Sequence, residues 1–178
     1  SAERLPCVVK CGHNSTCAVC FLRIRSVLKD KGCPVCKQEL ENVVCCSPSA
    51  EPYESYGVEG CEYVPGFLYD HKSSIFFPPP YYRKYIEPLW KCVCSICNTA
   101  KRDLKSLRLH VIHEHKMHMC NLCLEFKQSF PSEQVIYTQK GYDTHLRCGN
   151  GDGAEGHPVC EFCKKRYYDK HDLFVHLS

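Results

Sequence analysis

Cys11-Gly12-His13-Asn14-Ser15-Thr16-Cys17-Ala18-Val19-Cys20, followed after twelve residues by Cys33-Pro34-Val35-Cys36, is the stretch that decides how this chain folds. Thiols and imidazoles at these separations are zinc-ligand spacings, and their order interleaves two sites. Cys11, His13, Cys33 and Cys36 supply one complete tetrahedral set. Cys17 and Cys20 belong to the other, for which Cys7 is an upstream partner and Lys10 stands where a fourth ligand is expected. The separation of Cys7 from Cys11 is short for such a module, which points to residues missing between Val9 and Lys10.

Composition supports metal over disulfides. The chain carries 17 Cys in 178 residues, more than an ordinary core holds. The count is odd, no apolar leader opens the chain, and the cysteines come as C-x2-C pairs with histidines at matching distances. Zinc in a soluble, reducing compartment is the expectation. No apolar run approaches the roughly 20 residues that cross a bilayer. A formal charge of +3 is too mild to establish a nucleic-acid partner. Cys45, Cys46, Cys61, Cys92 and Cys148, with His71, His113, His118 and His171, fall outside the ligand spacings and are assigned to packing or surface.

The second half reads as a run of Cys-Cys-His-His fingers. The first is Cys94-x2-Cys97-x12-His110-x4-His115, in which a hairpin supplies the thiolates and one helix face both imidazoles, with Leu107 buried beneath and Lys101 at the usual aromatic position. The second, Cys120-x2-Cys123 with His145 and His157, is enlarged and irregular, and a Gly-rich stretch at 149–156 leads to His157. The third, Cys160-x2-Cys163-x12-His176, has Tyr167 and Leu173 at its core positions. Its fourth ligand is expected from chain beyond Ser178 or from elsewhere. The expected fold class is therefore small zinc-stabilised, loop-rich α+β modules: 1–46 with two interleaved sites, fingers at 92–118, 119–158 and 159–178, and an aromatic, Pro-rich spacer at 47–91. In the spacer, Tyr85, Ile86, Leu89 and Trp90 form a short apolar helix face expected to dock on the first finger.

Sequence-specific DNA reading is disfavoured. The base-facing helix positions would be Asp103, Ser106 and Leu109 in the first finger and Asp169, Asp172 and Val175 in the third, not the Arg, Lys, Asn or Gln that pair with bases. Lys101, Arg102, Lys105 and Arg108, and Lys164, Lys165 and Arg166, suit a phosphate backbone such as that of structured RNA, or simply solvated charge.

The interleaved N-terminal ligands resemble a RING. In RING ubiquitin ligases a hydrophobic residue after the first ligand, a Pro after the seventh and a basic residue after the eighth contact the conjugating enzyme and its ubiquitin. Val8, Pro34 and Lys37 match those places, Lys37 otherwise being a solvated lysine. The whole layout, with Cys120-Asn121-Leu122-Cys123 after His115 and Gly156-His157-Pro158-Val159-Cys160-Glu161-Phe162-Cys163 opening the last finger, is similar to the RING and zinc-finger ubiquitin ligase family that senses collided ribosomes. That resemblance implies a cytoplasmic RING-type E3 transferase without a nucleophile of its own. It implies zinc in two RING sites and three fingers. The implied partners are a conjugating enzyme, ubiquitin, small-subunit proteins and ribosomal RNA, with no membrane. Two alternatives are an RNA- or protein-binding adaptor whose degenerate RING is a scaffold, and a transcription regulator.

Overall fold

The computed structural model describes residues 4–46, 51–149 and 155–178, so part of the 47–91 spacer and most of the Gly-rich 149–156 stretch lie outside the described residues. The chain divides into two compact units, one of Ser1–Trp90 with Gln128–Phe130, the other of Lys91–Lys127 with Pro131–Ser178.

In the first unit, short apolar runs rich in β-branched and aromatic residues pair into a four-stranded sheet of order β1-β2-β4-β3. Strand β1 (Cys7–Val8) runs antiparallel to β2 (Val43–Cys45), with Cys7 opposite Cys45 and Val8 opposite Val44. β2 is parallel to β4 (Ile75–Phe77), which pairs antiparallel with β3 (Leu68–Asp70). Alternation along each strand sorts the side chains onto two faces. Val43, Cys45, Ile75 and Phe77 meet Phe21 and Leu22 of helix α1 (Ala18–Leu22, continued by a wider turn Arg23–Val27). Val8, Val44 and Phe76 meet Tyr53, Val58 and Val64. Both faces are thus covered, which is why the strands read as continuous apolar runs rather than alternating ones.

Here the spacer departs from expectation. It supplies β3, β4 and helix α2 (Pro79–Tyr81, continued by Tyr82–Ile86) to the N-terminal module. Ile86 is fully buried in the same cluster as Phe21, with Tyr85, Leu89 and Trp90 packed against it. The physical reason is edge satisfaction: β2 needs a second partner for its backbone, and β4 is the apolar run that provides it. Pro79 and Pro80 open α2, where a missing N–H has no partner to lose. Arg25 fastens the arrangement, donating to the carbonyls of Leu40 (2.9 Å), Glu41 (2.7 Å) and Ser73. Phe130, fully buried, completes the core, its ring 5.2 Å from that of Trp90 and beneath the Arg23 guanidinium at 4.6 Å.

The second unit holds a hairpin of β5 (Cys92–Val93) and β6 (Ala100–Lys101) and helices α3 (Leu104–His115), α4 (Asn121–Phe126), α5 (Gln139–Cys148) and α6 (Lys170–Leu177). Asp103, Thr138 and Asp169 cap α3, α5 and α6 by accepting from N–H groups of Ser106 (2.7 Å), Gly141 (3.2 Å) and Asp172 (2.9 Å). The apolar core is small: Leu107 and Val111 of α3 against Cys92, Cys94 and Met119. Among the described residues no helix is long and apolar enough to cross a membrane.

Candidate metal centres

Four sets of side chains converge so that their ligand atoms lie within 4.8 Å of one another: Cys11, His13, Cys33 and Cys36; Cys94, Cys97, His110 and His115; Cys120, Cys123, His145 and His157; and Cys160, Cys163 and His176. Representative separations are 3.7 Å from Cys33 Sγ to His13 Nδ1 and 3.2 and 3.3 Å from Cys97 Sγ to the Nε2 atoms of His110 and His115. Cys120 to His157 and Cys123 to His145 are each 3.3 Å, and Cys163 to His176 is 3.5 Å. These donor sets, sulfur and imidazole nitrogen in fours and one three, are those that zinc takes.

Three of the thiol pairs share one backbone device. Lys37, Asn98 and Lys164, each following the second cysteine, adopt left-handed φ of 63°, 56° and 59°. Each donates its N–H to the carbonyl of the first cysteine, at 2.9, 2.8 and 2.9 Å. Cys33, Cys94 and Cys160 in turn donate their own N–H to Gln38, Thr99 and Lys165. The fold-back turns nearby N–H groups toward sulfur and prepares the thiolates. Burial opposes ionisation of Cys33, but N–H donors of Cys36 and Val35 outweigh it and bring its thiol down to about 6. The hydroxyl and N–H of Thr99 bring Cys97 down to about 5. Cys120–Cys123 is different, since it opens α4, and there the hydrogen bond between the two thiols lowers Cys120 and raises Cys123.

A fixed tautomer supports the fit at His157, whose Nδ1–H donates to the Tyr168 carbonyl at 2.8 Å and leaves Nε2 as the lone-pair donor facing Cys120 and Cys123. Tyr137 stacks on His145 at 4.7 Å, and Tyr167 on His176 at 4.6 Å. The sequence does not single out Thr99 or the Tyr168 carbonyl, whereas Tyr137 lies in the apolar stretch between Cys123 and His145 that is expected to pack beside the metal. Only the residues after Cys36, Cys97 and Cys163, where a left-handed turn falls, offer a local signal for any of this device.

Cys7 is a correction. Its side chain is fully buried in strand β1, and burial first, then a hydrogen bond to Cys45, hold its thiol well above the ordinary value. It is not brought into a cluster with Cys17 and Cys20, which lie beside one another as half a site. Lys10 is in an exposed ion pair with Glu59 at 2.6 Å. The chain from β1 turns tightly, with Gly12 N–H donating to the Val9 carbonyl at 2.9 Å, and runs without a long loop into Cys11.

Val8 also differs from expectation: it is 7% exposed and packs with Val44 and Phe76 on one face of the sheet. Pro34 is half-buried and Lys37 exposed, with Val35, 56% exposed, between them. Of the basic residues, Lys105, Lys164 and Lys165 are exposed and Lys101 and Arg108 half-buried. Arg102 pairs with Asp103 at 3.0 Å, and Arg166 is held by the carbonyls of Leu146 (3.1 Å) and His157 (2.9 Å), a bracing role inside the unit. Asp103 and Asp169, already engaged as caps, have no free carboxylate oxygen pair to offer a base edge.

Residues 1–43 match the family of C3HC4-type zinc fingers, the RING fingers. The chain is 28% identical over 178 residues to the E3 ubiquitin-protein ligase hel2 of Schizosaccharomyces pombe, covering 96% of this chain and 24% of that protein. It is 29% identical to the E3 ubiquitin-protein ligase HEL2 of Saccharomyces cerevisiae (93% and 26%) and 26% identical to the E3 ubiquitin-protein ligase ZNF598 of Homo sapiens (94% and 18%). The chain thus spans about a quarter or less of the length of these relatives. No solved structure matches it. With a match to RING fingers over its first 43 residues and Cys/His clusters through the rest, the chain is similar along nearly its whole length to the RING and zinc-finger ubiquitin ligases Hel2 and ZNF598.

Proposed function

We propose that this chain is the RING and zinc-finger portion of an E3 ubiquitin ligase that recognises collided ribosomes in the cytoplasm and promotes ubiquitination of small-subunit proteins. The observation that carries the ligase reading is the exposure of Lys37 beside Pro34 on the fold-back turn of the Cys11, His13, Cys33 and Cys36 cluster. Zinc, when bound, locks that turn and takes its thiolates out of acyl chemistry, so the reacting thioester has to belong to a conjugating enzyme. Pro34 and Val35 then offer an apolar contact to that enzyme. Lys37, whose backbone is fixed by its N–H bond to Cys33, offers a cation that holds ubiquitin in one orientation, and rate comes from restricted geometry. With Val8 buried, the apolar part of this surface falls to Val35 and Pro34.

Cys17 and Cys20 are the pair available to a second RING site, and the three clusters of the second unit act as fingers. Lys101, Lys105, Arg108, Lys164 and Lys165, with Arg102 more weakly, form the RNA-facing charge of the ribosome contact. The test is single-turnover discharge of ubiquitin from a preloaded conjugating enzyme onto free lysine. Lys37→Ala is expected to be about tenfold slower, roughly 1.4 kcal/mol of barrier. Equal rates with and without the chain would leave an adaptor with a scaffold RING. Sedimentation after partial translational stalling tests the ribosome arm: the protein is expected in nuclease-resistant disomes, and its absence from them would defeat that arm.

A further inference from the structure

We propose that the surface joining α5 to the segment after α3 stacks an unpaired base of single-stranded RNA, with His118 and Tyr142 as the aromatic platform and Arg108 as the phosphate contact. This rests on the RNA-contacting part of the reading above and names the form of RNA and the residues that select it.

The rings of His118 and Tyr142 are stacked, 5.3 Å between centroids and 18° between planes, and both residues remain half-exposed. Tyr137 extends the group, 6.4 Å from Tyr142. Its position is fixed by a reciprocal backbone pair with His118, each N–H donating to the other's carbonyl at 2.8 Å. Tyr142 is fixed by its N–H bond to the Thr138 carbonyl at 2.8 Å, in the helix that Thr138 caps. A platform held in place before binding loses little freedom when a base lands on it. His118 belongs to none of the metal clusters, so neither ring is needed for metal.

Arg108 supplies the second, independent observation. Its Nε is buried with no hydrogen-bond partner, although a buried donor left unpaired is costly. With Nε enclosed, the terminal nitrogens of this half-buried side chain are the part of the guanidinium that a phosphate oxygen would meet. Lys105 lies one turn earlier on α3, so the two cations share a helix face. Arg166, bound to the carbonyl of Leu146, sits one turn along α5 from Tyr142. Burial raises the Tyr142 phenol above its ordinary value, and both guanidiniums are near enough to oppose that rise. Cations flanking stacked rings, without base-reading side chains at the helix positions, describe sequence-tolerant single-strand binding rather than duplex reading.

The experiment is fluorescence anisotropy of the zinc-loaded chain with a labelled single-stranded RNA of about twelve nucleotides and mixed sequence, and with the blunt duplex of the same sequence. Tyr142→Leu is expected to weaken single-strand binding about tenfold, Tyr142→Phe to leave it near wild type, and neither to alter duplex binding. Arg108→Ala is expected to flatten the log-affinity against log-salt slope by about 0.7. Zinc content and far-ultraviolet circular dichroism check folding, and His118→Leu replaces Tyr142→Leu if that variant loses zinc. Unchanged single-strand affinity in a zinc-replete Leu variant overturns the platform while leaving RNA contact in place. Binding of neither RNA at low salt, with polyglutamate bound instead, overturns both.

Discussion

Arg25→Ala should unfasten the spacer strands from the N-terminal module. Arg25 is 4% exposed and its guanidinium reaches three carbonyls, those of Leu40, Glu41 and Ser73, across separations of 15, 16 and 48 residues in the chain. Burial pulls its pKa below the ordinary arginine value, yet an arginine stays charged under any folding condition. A hydrogen bond from a charged donor contributes about 1.5–3 kcal/mol. Glu41 is exposed, so its carbonyl regains water in the variant, whereas those of Leu40 and Ser73 belong to buried residues. Counting those two gives a loss of about 4 kcal/mol. At a urea slope of about 1.5 kcal/mol/M, the midpoint falls by roughly 2.5 M. Trp90, the one tryptophan, lies in this unit and packs on Phe130, so its fluorescence at saturating zinc follows the transition. Arg25→Lys keeps the charge but one ammonium cannot span three carbonyls, so it should recover only part of the loss. An Arg25→Ala midpoint equal to wild type would refute the clamp.

Val8→Ala should destabilise the first unit by about 2 kcal/mol through lost burial and leave ubiquitin discharge per folded molecule unchanged, as measured by urea titration and single-turnover assay in parallel. Asp103→Ala should lower the helix-melting midpoint read by circular dichroism through loss of the α3 cap, with Asp103→Ser restoring most of it. Burial raises Tyr53 from 10.0 to about 12, so an unfolded chain deprotonates there first. The stability from its neutral form is intact below pH 10 and is lost as pH rises toward 12, and Tyr53→Phe should flatten that slope in alkaline denaturation curves.

Ligand spacing makes most of the convergent Cys and His sets legible in the sequence, because a tetrahedral ion fixes how far apart in sequence two ligands on one turn or helix face can stand. Cys97, His110 and His115 converge as their x12 and x4 separations require. Cys7 was not legible, since a cysteine near other cysteines scans as a ligand and only the register of β1 on β2 reveals it as a small buried hydrophobe. The same register buries Val8, a position that resemblance alone marks as a contact. The parallel pairing of Val43 with Ile75 and Val44 with Phe76 spans more than thirty residues and carries no local pattern. Nor does Phe130, which lies beyond the first cluster of the second unit in sequence yet fills the core of the first. The local signals for the turns after Cys36, Cys97 and Cys163 are weaker, because Lys and Asn at positive φ are identified by their backbone and not by their chemistry.

The most direct test of the account is zinc stoichiometry by native mass spectrometry of the chain and of Cys7→Ser and Cys33→Ser. The four convergent clusters predict four bound ions, an unchanged count in Cys7→Ser and one fewer in Cys33→Ser. A metal-free folded chain, or a Cys7→Ser variant that loses an ion, would contradict it.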